Sequence, residues 1–432
     1  MRSKRPSRLV EWGKSLLILL LCVCLLYLLG RTQLSGEIRA GVKGLFDKSS
    51  EENPSAVLDQ VASVRVNPVR LAVCQDGQRY GVQYDQEKVD VDFSVLSILF
   101  TEALSSVGEP EVISEQAWRS ALCRTGIYVD FYYAVPMDIL SDWLGDEQEM
   151  TVLTGSARRI CLAADSDGGV SLFYKNEQNG SFYACATTLS RDFHLDDAVA
   201  DWLPNGAQFA FEVEGMDAVD AYTLLTVTPQ PVVYTAGNPL LEDSDRVDEL
   251  LSALDFPARG GGLNPATGGQ LGEGNDSLRL SEDGVITFHT IGNAESGARF
   301  TIGEPGTAAM MDYVQTLAQE TAGAWCGQAR LCLSQIEQAG EQTVITFQYF
   351  LNGSPVTLPE GAEAARFVIR DGTITDFTLY LRAYTGTEET SLVLPAAQAE
   401  AAMEAMGVYG KELTLVYQDS GVEQVSVNWA AI

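Results

Sequence analysis

Hydrophobic and polar positions follow two periods along most of the chain, but its opening follows neither. Leu16 to Leu29 is an unbroken apolar run, and no charged residue lies between Ser15 and Gly30. At 1.5 Å per residue this run is somewhat short of the roughly 20 residues expected of a membrane span. Trp12, Lys14 and Arg31 flank it as residues that settle or snorkel at membrane interfaces. One transmembrane helix is therefore expected, with Leu16, Leu17, Leu20, Leu21, Leu25 and Leu28 meeting lipid or a partner helix.

Arg2, Lys4, Arg5, Arg8 and Lys14 precede the run, opposed only by Glu11. The positive-inside rule keeps that end in the cytoplasm and places everything after Arg31 outside. A cleaved signal peptide is the rival reading, since a basic start and a short apolar core fit one equally well. Against it, Arg31, Thr32, Gln33 and Leu34 offer no small-x-small cleavage site. The expected organisation is a basic cytoplasmic segment (1–14), a membrane anchor (15–31) and a stalk (32–62). A first α+β domain (63–237), a middle segment with a glycine-rich loop (238–300) and a C-terminal α+β domain (301–432) follow.

Beyond the stalk the two periods alternate. Arg70 to Cys74 and Tyr80 to Tyr84 read as a hairpin across Gln75, Asp76 and Gly77. Phe93, Leu96, Leu99, Phe100 and Leu104 recur at helical spacing. A second helix holds Trp118 and Leu122, then Gly126 to Tyr133 is strand-like, and Met137 to Leu144 makes a short helix. Arg159 to Ala163, Val170 to Tyr174 and Phe182 to Thr187 form a meander. Leu240 to Leu254 and Ala308 to Thr321 are predicted helices, with Arg259 to Asn275 a mobile glycine-rich loop between them. Asn352-Gly353 and Asp371-Gly372 are strong hairpin signals between strand-like runs. Phe377, Leu379 and Leu381 alternate on a face expected to meet the helix after Pro395. The fold class is α+β: extracytoplasmic domains built on antiparallel sheets with packed helices.

Composition narrows function by exclusion. Among 432 residues, 28 Lys and Arg face 59 Asp and Glu, for a formal net charge of -31. Such a chain repels phosphate backbones, so no nucleic-acid partner is expected. Only His194 and His289 supply imidazole, which argues against histidine metal cages and catalysis through several imidazoles. Six cysteines follow the apolar run, and Cys161 with Cys185, on neighbouring predicted strands, form the favoured disulfide.

Candidate chemistry is sparse. Gly13-Lys14-Ser15 resembles the end of a phosphate-binding loop, but Arg8 stands where its first glycine belongs. Asp192, His194, Asp196 and Asp197 have metal-ligand spacing and equally suit the start of a helix. Asp165 to Gly169 begins like a calcium loop and reads better as a hairpin turn. No G-x-S-x-G or S-x-x-K follows the apolar run. Tyr132, Tyr133, Trp143, Trp202, Tyr380, Tyr384 and Trp429 would form a binding groove only if they converged. No catalytic residue, cofactor or metal is implied.

The order of features, with Leu250 to Phe256, Ser277 to Ile286, Phe347-Gln348-Tyr349, Asn352-Gly353, Pro355-Val356, Phe367-Val368-Ile369, Asp371-Gly372, Tyr417 and Trp429, resembles the YycH/YycI family. Its members are single-span regulators of the cell-wall two-component histidine kinase of Gram-positive bacteria. The likeness covers about half the exported chain, and its residues are turns and core positions. The many cysteines and the long glycine-rich loop depart from the family. The resemblance implies a non-enzymatic membrane protein partnered by a sensor histidine kinase and by a homologous regulator. An exported binding module for wall or peptide ligands stands second, and a cryptic hydrolase third.

Overall fold

The computed structural model describes residues 68–432 except 145–152, 244, 258–262, 293–296 and 304–305. The apolar run, the basic segment and the stalk lie outside the described residues. None of the described helices is long and apolar enough to cross a membrane. Residues from Val64 onward form one compact unit.

The chain first builds a seven-stranded sheet from β1 (Arg70–Gln75), β2 (Gln78–Gln83), β3 (Glu111–Ile113), β4 (Gly126–Pro136), β5 (Ser156–Ala164), β6 (Gly169–Asn176) and β7 (Phe182–Ser190). Their order is β2-β1-β4-β5-β6-β7-β3. Period-two patterning gives each strand two apolar faces, and helices cover both. On one side lie α1 (Gln86–Ser105) and α3 (Met137–Leu144), where Phe93, Leu96 and Phe100 pack over Val73, Val129 and Leu162. Asp85 caps α1 by accepting a hydrogen bond from the Lys88 amide at 3.2 Å. On the other side α2 (Glu115–Cys123) sets Trp118 against Tyr128, Cys161 and Phe173. A small ribbon, β8 (Gln208–Phe209) with β9 (Leu224–Leu225), completes that layer.

A second sheet has thirteen strands. Six of them are β10 (Val232–Gly237), β11 (Leu263–Asn264), β12 (Gly268–Glu273), β13 (Asp276–Leu280), β14 (Val285–Thr290) and β15 (Arg330–Ala339). The rest are β16 (Gln342–Leu351), β17 (Ser354–Thr357), β18 (Ala365–Arg370), β19 (Thr373–Tyr380), β20 (Ala383–Thr390), β21 (Leu413–Gln418) and β22 (Gln424–Ala431). They run β11-β12-β13-β14-β19-β18-β16-β17-β21-β22-β10-β20, with β15 beside β16. All pairings are antiparallel except β17 with β21. Asn352 and Gly353 (φ 50° and 81°) make the β16–β17 turn, and Asp371 and Gly372 (φ 50° and 70°) the β18–β19 turn. Both sites need two consecutive left-handed residues, which these dipeptides supply.

Two sequence expectations change here. Much of the glycine-rich segment is ordered as the sheet edge β11–β12, where Gly268 (φ 71°) lies so close to the Leu280 carbonyl that a Cβ would sit 2.7 Å from it. Glycine there permits strand approach as well as freedom. The helix after Pro395, Ala396–Ala405, does not cover the Phe377 face. Its Ala399 and Met403 pack with Ala210, Met216, Val219 and Leu413. Phe377 instead meets Phe288, Phe300 and Phe367.

Candidate functional site

The residues singled out by spacing do not assemble. Leu16, Leu17, Leu20, Leu21, Leu25 and Leu28 lie outside the described residues. Arg191 holds Asp196 at 3.1 Å and His194 turns to Ser190 at 3.1 Å, so the Asp192–Asp197 stretch gathers no common ligand point. Asp165 to Gly169 form the β5–β6 turn. Tyr132 and Tyr133 pack on Phe350, Trp202 on Tyr80, Tyr384 on Tyr349 and Trp429 on Tyr84, so these aromatics fill separate packing sites.

The expected Cys161–Cys185 disulfide is corrected. Both are free thiols. Strand β6 lies between β5 and β7, and Cys161 pairs across from Phe173 while Cys185 pairs across from the adjacent Leu172. Adjacent residues point to opposite faces of a sheet, so the two sulfurs have the sheet between them.

What the chain does assemble is a buried ionic junction. Asp130 takes a two-pronged contact from Arg158 (2.7 and 3.0 Å) and another hydrogen bond from Arg70 at 3.0 Å. Glu412, just before β21, accepts from Arg70, from Arg158 at 2.5 Å and from Arg159 at 2.9 Å. Arg70 also donates to Thr414 at 2.9 Å, and Arg159 reaches Asp220 at 3.3 Å. Arg70, Asp130, Arg159 and Glu412 are 2, 1, 3 and 3 % exposed. Three guanidinium groups thus face three carboxylates.

Strand irregularities make this convergence possible. Arg158 and Arg159 are neighbours, which a regular strand would send to opposite faces. The β5–β6 register shifts between Ala157 and Ile160, and β4–β5 shifts between Asp130 and Val135. Such bulges re-aim side chains. Within the second one, Tyr132 has φ 70°, its amide donating to Asp130 at 2.7 Å and its ring lying 5.5 Å from the Arg70 guanidinium and 5.0 Å from that of Arg158. Burial alone would favour protonated Asp130 and Glu412, but the surrounding arginines outweigh it and hold both below the usual carboxylate range.

The second feature is open. A cleft of about 530 Å³ lies between Ala253–Asp255, Arg299–Gly303 and one face of the helix Thr307–Ala318. Phe300, Ile302 and Leu317 give it apolar walls, and Tyr313, Asp255, Asp312 and Glu320 supply polar groups. Arg299 lies at its rim, bonded to Glu273 at 2.8 Å and Asp276 at 3.1 Å and stacked 4.0 Å over Phe256. Trp143 of α3 donates to Asp312 at 2.9 Å. An acid-rich mouth over apolar walls suits a ligand carrying both a cation and a hydrocarbon stem. Neither site was marked by spacing. The only sequence signal was Arg158-Arg159 at the head of an apolar strand in an acidic chain.

No family model matches the chain, and no curated protein matches it. Among solved structures its fold is similar to the crystal structure of YycH from Bacillus subtilis, with a TM-score of 0.51 and 13% sequence identity over 85% of this chain and 94% of that one. The α+β architecture dominated by antiparallel sheets is therefore YycH-like.

Proposed function

We propose that this chain is a non-enzymatic, membrane-anchored regulator of a two-component sensor histidine kinase. Leu16, Leu17, Leu20, Leu21, Leu25 and Leu28 would lie in the lipid bilayer against the kinase's own helices, with the N-terminus cytoplasmic and the sheets outside the cell membrane. The observation that carries this reading is the fold shared with nearly the whole length of YycH. The basic flank and apolar run that precede the fold agree with it. A span packed beside kinase helices needs a differential contact energy of only about 1–3 kcal/mol to shift a two-state signalling bundle.

Cross-linking the full-length protein in native membranes, beside a version with residues 16–29 scrambled, tests the proposal. A histidine kinase captured by the native span alone is the expected result. Capture of no kinase by either version would sink it. The acid-rich cleft favours a second reading, an exported module for wall or peptide ligands. Under that reading, scrambling the span leaves ligand binding intact.

A further inference from the structure

We propose that Cys74 and Cys123 are an oxidisable pair that closes to a disulfide, fastening the end of α2 to β1. The proposal is independent of the kinase reading. Cys74 lies on β1, on the sheet face that α2 covers, directly across from Arg79 of β2. Arg79 donates to the Leu122 carbonyl at 2.9 Å, which draws the last turn of α2 over this row. The Cys74 sulfur consequently donates to the Cys123 carbonyl at 3.5 Å, so one sulfur already touches the backbone of the other cysteine. The Cys123 sulfur points to Glu212 at 3.4 Å. Closure requires the Cys123 sulfur to leave Glu212, which keeps its ion pair with Arg79 at 2.5 Å. A disulfide forms without strain where the two Cα atoms lie about 4.4–6.8 Å apart, and the contact of the Cys74 sulfur with the Cys123 backbone sets the two residues side by side.

Access separates Cys123 from the other described cysteines, for Cys74 is buried and Cys332 half-buried. Cys123 is exposed, while Cys161, Cys185 and Cys326 are buried. Cys326 donates to the Ala329 carbonyl at 2.9 Å. Exchange would begin at Cys123. Its thiolate attacks one sulfur of a low-molecular-weight disulfide, expelling the other as a thiolate and forming a mixed disulfide. Cys74 then loses its proton and attacks the Cys123 sulfur, expelling the second thiolate. Two protein thiols are oxidised, and one oxidant disulfide is reduced to two thiols. Desolvation and then Glu212 set the pace. Burial and this carboxylate raise the Cys123 thiol to about 11, so closure is slow near neutrality and quickens as pH rises.

The test is non-reducing peptide mapping by mass spectrometry of the full-length protein in detergent, incubated with oxidised glutathione at pH 8 and then alkylated. The expected result is a Cys74 peptide joined to a Cys123 peptide, two hydrogens lighter than their sum, absent after dithiothreitol and absent in Cys123→Ser. Recovery of Cys74 alkylated while Cys123 carries glutathione would overturn the proposal, as would alkylation of both.

Discussion

The buried junction and the open cleft are built from the same groups and do opposite things with them. Each centres on arginine among carboxylates. At the junction, Arg70, Arg158 and Arg159 are sealed against Asp130 and Glu412, and every charge faces another protein charge. At the cleft, Arg299 is matched by Glu273 and Asp276 at the rim and, at 3.7 Å, by the exposed Asp255, while Glu320 faces solvent. Desolvation makes the difference. Sealed charges make loss of one partner severe, whereas exposed ones are screened and remain available to a ligand.

Removing one sealed partner should therefore give the largest effect. Glu412→Ala leaves three guanidinium groups around a single fully buried carboxylate and is expected to destabilise the fold by about 3–5 kcal/mol, read by urea unfolding. Acid should act on the same place. Asp130 and Glu412 have folded-state values below their unfolded ones, so their stabilisation is complete above the unfolded carboxylate values near 4 and is lost as pH falls through the folded values. Stability measured between pH 7 and pH 3 should fall at the acid end, and the Glu412→Ala variant should lose less over that interval.

The cleft should respond weakly in stability and strongly in binding. Arg299→Met is expected to cost about 1–2 kcal/mol, less than at the junction, since Asp255 and Glu273 are exposed while Asp276 is largely buried with it. It should strengthen salt-sensitive binding of a trilysine peptide, measured by calorimetry. The smallest effect belongs to α1, where Val91, Val95 and Ile98 are exposed at helical spacing. Val95→Glu should change stability by under about 0.5 kcal/mol, and a larger loss would mean that this stripe is covered.

Local features were legible in the sequence. The α1 stripe follows from 3.6-residue spacing, and the turns at Asn352-Gly353 and Asp371-Gly372 follow from the backbone angles their strands require. The junction was hidden for a definite reason. Arg158 and Arg159 converge only because a bulge breaks period two, and Glu412 meets Arg70 across 342 residues, so no local spacing records the contact. Cys161 and Cys185 lie on β5 and β7 with β6 between them, and which face each side chain takes depends on the strand register, which spacing along the chain does not record. The cleft was equally silent, because Asp255, Arg299 and Asp312 come from three separate segments.

The position of Glu412 bears on how the protein is made. Arg70 opens the first described strand, while its glutamate partner is synthesised 342 residues later. Arg70, Arg158 and Arg159 are made first and lack this shared carboxylate until residue 412 has emerged. The seven-stranded sheet therefore cannot complete this junction before residue 412 has been made, and contacts of such long sequence separation form slowly. A nonsense change ahead of residue 412 would remove the clasp that closes the first sheet, so the damage would appear hundreds of residues before the lesion.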